Sequence, residues 1–86
     1  MAVTAQRITA STTPVALNTA AGSGERLIIK NTSANAADLG GPTVAAGAGF
    51  DLAAGATVGP IDLDPGDVVY AIRSAAADAT LSVLRV

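Results

Sequence analysis

One run of residues has the types and spacing to hold a metal or to do acid–base work: Asp62-Leu63-Asp64-Pro65-Gly66-Asp67. Alternate carboxylates in a loop offer hard oxygen ligands of the kind calcium takes. A calcium loop of the helical-hand type needs further oxygen ligands and a closing glutamate, and neither follows here. The same residues suit a solvated type II turn, proline second and glycine third, with Asp64 and Asp67 bonding local amides. Turn chemistry accounts for the run, so no metal ligand and no cofactor is expected. Gly40, Gly41, Gly47 and Gly49 invite comparison with a phosphate cradle. No lysine-serine pair follows them and no strand–loop–helix unit surrounds them, so they read as turn glycines. Serines are present, but there is no histidine or cysteine to activate or replace them as nucleophiles. Paired-carboxylate catalysis needs a walled pocket, and this chain has little bulk with which to build one. No catalytic residue is assigned, and an enzyme is not expected.

The elements around these residues are short apolar runs parted by turn residues. Leu27-Ile28-Ile29, Val68-Val69-Tyr70-Ala71-Ile72 and Leu81-Ser82-Val83-Leu84 alternate with Gly40-Gly41-Pro42, Gly47-Ala48-Gly49, Gly59-Pro60 and the acidic turn. Many short strands with Gly/Pro turns at close intervals predict an all-β fold: a small single-domain antiparallel β-sandwich or barrel, jelly-roll or immunoglobulin-like, of about seven or eight strands. Residues 1–13, rich in threonine and serine, form an extended arm or an edge strand around Gln6–Ala10; residues 14–86 form the domain. Strands are predicted at Pro14–Leu17, Glu25–Asn31, Ala37–Leu39, Thr43-Val44, Phe50–Leu52, Thr57–Leu63, Asp67–Arg73 and Ala79–Val86. Loops are expected at Asn18–Gly24, Asn31–Asn35 and Ser74–Asp78. Alanine content would allow helix across Asp51–Ala56, but the segment has no length and stops at Gly55.

Half of the 86 residues are hydrophobic, yet 20 of those 43 are alanine, and Phe50 and Tyr70 are the only aromatics. A large aliphatic side chain contributes about 1.5–3 kcal/mol on full burial and an alanine methyl well under that, so the core is thin. Small domains offset a thin core with disulfides, metal or assembly. With no cysteine and no histidine the first two are poorly supplied, which leaves assembly with other subunits. The five basic residues Arg7, Arg26, Lys30, Arg73 and Arg85 stand singly in a chain of net charge −2, so no patch suggests nucleic acid. No apolar run approaches the roughly 20 residues of a spanning helix, so no membrane partner is expected. Met1–Arg7 shows no basic leader with an apolar centre, so no secretory signal is expected. Asn31-Thr32-Ser33 matches a glycosylation acceptor, a chance match on that footing.

Alternation in the two best strands is poor. In Val68–Ile72 one face carries Val68, Tyr70 and Ile72 and the other Val69 and Ala71; in Leu81–Val86 one carries Leu81, Val83 and Arg85 and the other Ser82, Leu84 and Val86. Antiparallel strands with one wet face normally alternate apolar with polar. Two apolar faces imply a cover over the second, from another layer of the fold or a neighbouring subunit, unless these are the scattered aliphatics any surface carries.

Arg26-Leu27-Ile28-Ile29-Lys30-Asn31-Thr32-Ser33 followed by Asp38-Leu39-Gly40-Gly41 resembles small virion proteins of tailed phages. So do Gly49–Gly55, Asp62–Ile72 and the ending Val83-Leu84-Arg85-Val86. In that family an aliphatic-Ile-x-Asn turn with Leu-Gly-Gly precedes a glycine-flanked hairpin and a Pro-Gly-Asp strand ending in Tyr-Ala. The resemblance covers about residues 15–86, and the alanine-rich wording is similar to that of phages of high-GC actinobacterial hosts. It implies a β-sandwich structural protein of the virion. The role it points to first is capsid decoration: a cement protein on the capsid exterior, bound to the major capsid protein and to copies of itself as a trimer or cluster. A tail, neck or head-fibre component of the same particle shares every feature named. A carbohydrate-binding surface module is the reading from another class; it wants exposed aromatics, whereas Phe50 and Tyr70 are expected to be buried and to anchor the core. Arg7, Phe50, Tyr70, Leu84 and Val86 are the candidate interface residues.

Overall fold

Strand formation follows the period-two burial of the longest apolar runs. In β3 (Glu25–Asn31), Leu27, Ile29 and Asn31 are buried, Ile28 is half-buried, and Arg26 and Lys30 are exposed. In β8 (Ala79–Arg85), Ala79, Leu81 and Val83 are buried in the same way. In this computed structural model, which describes residues 4–18 and 25–85, these two strands form the centre of one antiparallel sheet. β1 (Thr4–Ala10) pairs with β8 along its whole length and β6 (Thr57–Leu63) with β3, giving the order β1-β8-β3-β6. The second sheet contains β2 (Val15–Ala16), β4 (Ala37–Gly40), β5 (Phe50–Leu52) and β7 (Tyr70–Arg73) in the order β2-β7-β4-β5. The fold is therefore all-β, two antiparallel sheets of four strands, a sandwich and not a closed barrel. Among the described residues there is no helix, and hence none long and apolar enough to cross a membrane. The radius of gyration, 11.9 Å, is that of one compact domain of this length, about 12 Å.

The core lies between the sheets. Leu17, Leu27, Ile29, Leu39, Leu52, Leu81 and Val83 fill it, with Ala10, Ala37, Ala71 and Ala79 where the layers approach. Val58 and Ile61 both pack against this core although three positions separate them, which strict alternation forbids. A bulge resolves the conflict: the β3–β6 register shifts between Leu27 and Ile29, where Gly59 and Pro60 together oppose Ile28. Gly59 has φ 123°, and a Cβ there would lie 2.7 Å from the Leu27 carbonyl oxygen, so the position admits no side chain without backbone movement.

Two buried asparagines fasten loops to this core. Asn31, fully buried, donates from Nδ2 to the carbonyls of Asn35 (2.7 Å) and Leu52 (3.1 Å) and accepts at Oδ1 from the Ser33 amide (3.0 Å) and hydroxyl (2.8 Å). All four hydrogen-bonding positions of its amide are used. It ties the turn after β3 to β5 of the opposite sheet, and with its side chain so committed it cannot carry a glycan. Asn18 donates to the Asp67 carbonyl (2.9 Å) and accepts from the Val69 amide (2.8 Å).

Three strand boundaries differ from the sequence reading. Thr43-Val44 is not a strand: the Val44 amide bonds to the Gly41 carbonyl (3.0 Å) and the Ala48 amide to the Ala45 carbonyl (3.0 Å), two turns in succession. The buried Asp38 carboxylate accepts the Gly47 amide and holds this loop to β4. The strand expected over Asp67–Arg73 starts at Tyr70, because Val69 bonds through both its amide and its carbonyl to Asn18 and Leu17 instead of to a neighbouring strand. β2 is two residues where four were expected. Most of the Asn18–Gly24 loop, and Val86, lie outside the described residues.

Arg26 Nε and Asp62 Oδ1 form an ion pair of 2.8 Å across β3 and β6, both side chains largely exposed. Exposed pairs of this kind are worth little, so Arg26→Ala is expected to change unfolding free energy by under about 1 kcal/mol in a urea titration.

Candidate functional site

The sandwich is open along one side. Sheet order places β6 at the end of one layer and β5 at the same end of the other, and between them runs an apolar groove of about 510 Å³. Leu39 and Phe50 line it from the β4–β5 side, Val58, Ile61 and Leu63 from β6, and Val68 and Val69 close one end. Asp67 is the one ionisable residue in the lining, and Gly40 and Gly41 leave the mouth unobstructed. The register explains the composition. Leu39 and Phe50 are paired on the inner side of their sheet, and the bulge turns both Val58 and Ile61 inward from the other.

Phe50 overturns an expectation. It does not anchor the core: it is 60% exposed, the one large hydrophobic side chain so exposed among the described residues. Its partner position Leu39 and the next inward residue of its own strand, Leu52, are buried, so Phe50 sits at the point where the opposing sheet stops covering β5. Tyr70 is half-buried and also outside the core; alternation with the buried Ala71 puts it on the outer face of its sheet, paired with Ala16 and Gly40. Arg7 is exposed and Leu84 half-buried on the outer face of the β1-β8-β3-β6 sheet, Leu84 opposite Ala5 on one side and Ile28 on the other. The structure thus brings Arg7 and Leu84 onto one face, places Phe50 at the groove and sets Tyr70 on the other layer. Val86 lies outside the described residues. Val58, Ile61 and Leu63 were not singled out in the sequence; the Gly59-Pro60 break, which forces two apolar residues three apart to the same side, is the signal that marks them.

The acidic run folds as a tight turn. The Asp67 amide bonds to the Asp64 carbonyl (3.0 Å), Gly66 has φ 89° as the third position of a type II turn requires, and the Asp67 carboxylate accepts the Asp64 amide (3.2 Å). Asp62 is engaged with Arg26 on the outer face. Among the described residues no three His, Cys, Asp or Glu side chains gather as a metal site. What the groove offers chemically is apolar area with Asp67 as the one charged residue of its lining.

Because Phe50 is mostly in solvent, Phe50→Ser is expected to leave unfolding free energy within about 0.5 kcal/mol of the parent. A loss of several times that in chemical denaturation would return Phe50 to the core. No family model, no curated protein and no solved structure matches this chain.

Proposed function

We propose that this chain is a non-enzymatic structural protein of a tailed-phage virion, a capsid decoration protein that binds the outer surface of the major capsid protein shell and stabilises it. The observation that carries the reading is the open apolar groove with Phe50 in solvent at its mouth. It belongs to a sandwich whose core is otherwise alanine-rich and thin. Monomeric proteins rarely leave contiguous apolar surface open unless something docks there. The strand-and-turn resemblance supplies the particle; the groove supplies a means of joining subunits. Clusters of such domains would bridge neighbouring capsomers and add buried area at each contact, and clustering raises the hold on the shell without new contacts per copy.

Phe50 in solvent is also what a carbohydrate-binding module would want. The rest of the groove speaks against that reading, since sugar hydroxyls need several polar side chains and the lining supplies Asp67 alone. A tail or neck role shares the fold and differs in copy number. Quantitative mass spectrometry of purified virions separates the readings: decoration predicts hundreds of copies per particle, near the count of the major capsid protein. A few copies would move the protein to the tail, and absence from virions would remove the proposal.

A further inference from the structure

We infer that copies of this chain associate head to tail, the β5–β6 groove of one copy receiving the outer face of the β1-β8-β3-β6 sheet of the next. The inference deepens the proposed function by naming the surfaces that build its clusters. It rests on two surfaces of opposite charge that share an apolar centre.

The groove is apolar with an acidic border. Asp67 lines it and forms with Asp64 the turn at the groove's end, while no lysine or arginine lines it; Asp51, between Phe50 and Leu52, is on the opposite face of β5. The sheet face has the reverse character. Cross-strand registers Ala5↔Leu84 and Ile28↔Leu84 set three apolar residues in one row. The adjacent row is Arg7↔Ser82↔Lys30. Arg7 and Lys30 are exposed, and neither forms an ion pair among the described residues. A ring of the size of Phe50 laid on the Ala5–Leu84–Ile28 row would bury its apolar area there, with Arg7 and Lys30 in the adjacent row available to the carboxylates at the groove's end.

Charge decides against the symmetric alternatives. Groove against groove would bring Asp64 and Asp67 of both copies together, and face against face would oppose Arg7 and Lys30 with themselves; like charges across an interface are costly. Groove against face opposes Asp64 and Asp67 with Arg7 and Lys30. One surface is a side and the other a face of the same sandwich, so a copy cannot satisfy itself, and repetition builds a ring or a chain.

Sedimentation velocity on the purified protein tests this with two pairs of exposed substitutions: Phe50→Ser with Asp64→Lys on the groove, and Arg7→Glu with Lys30→Glu on the face. The parent is expected to form species larger than a dimer as concentration rises toward the millimolar range, and to lose them in high salt. Each double variant alone is expected to be monomeric, with circular dichroism and melting like the parent's. An equimolar mixture of the two is expected to form a one-to-one heterodimer and nothing larger, because each retains one intact half of the contact. A parent that stays monomeric, a double variant that still self-associates, or a mixture that stays monomeric would overturn the inference. No capsid is present in the experiment, so its failure leaves the virion reading to be judged separately.

Discussion

Asn31→Asp is expected to be among the most damaging single substitutions in the chain. The change turns the Nδ2 donor into an oxygen, so that a buried carboxylate faces the Asn35 and Leu52 carbonyls with which Asn31 now bonds. An uncompensated buried charge of this kind costs about 3–5 kcal/mol. Asn31→Ala removes the repulsion but leaves the Leu52 carbonyl and the Ser33 amide without the Asn31 side chain, while the Asn35 carbonyl keeps the Ser33 hydroxyl, at about 1–3 kcal/mol for the desolvated groups. A domain of this length has about 4–13 kcal/mol of stability in all, so the aspartate variant loses a large part of it. Urea unfolding at neutral pH is expected to rank parent, alanine and aspartate in falling order. Equal midpoints for parent and aspartate variant would show that the Asn31 network is not what joins the two sheets at this end.

Gly59→Ala is the second large effect, and it acts on the wall of the groove. At φ 123° a non-glycine residue is strained, by about 1–3 kcal/mol. The added methyl would also stand 2.7 Å from the Leu27 carbonyl oxygen and 3.1 Å from the Ile28 Cα, backbone atoms that cannot swing aside. β6 must therefore pull away from β3, carrying Val58 and Ile61 with it. The expected result is a loss of about 2–4 kcal/mol, with amide exchange of β6 rising before that of β8. Gly55→Ala is the control: φ there is 76°, and the position opens onto empty space, so only the left-handed backbone term of about 1–2 kcal/mol applies. Equal losses at the two positions would mean that the close approach at Gly59 contributes nothing.

The fold was legible because its signals are local. Leu27-Ile28-Ile29 between charged ends, the Pro65-Gly66 turn and the alternation of Leu81 and Val83 each follow from backbone preferences that a few neighbouring residues decide. The places where the reading failed depend on contacts distant in sequence. Val68-Val69 look like strand, yet Val69 is captured by Asn18, 51 positions away. Thr43-Val44 look like strand, yet Asp38 reaches across to the Gly47 amide and folds the loop back. Phe50 failed for a related reason. Aromatics dominate most small cores, and nothing near Phe50 in the sequence indicates that the opposing sheet ends before covering it. Sheet order decides that, and sheet order is set by the pairing of β6 with β3, not by any property of β5. The candidate groove was therefore only half visible: its acidic turn and its Gly59-Pro60 corner could be read, its opening could not.

Cryo-electron microscopy of the virion that carries this chain tests the central claim most directly. The account predicts an eight-stranded sandwich repeated in clusters over the outer shell, at the junctions between capsomers, with neighbouring copies in contact. Density confined to the tail or neck, or a mature capsid with no such sandwich on its surface, would contradict it.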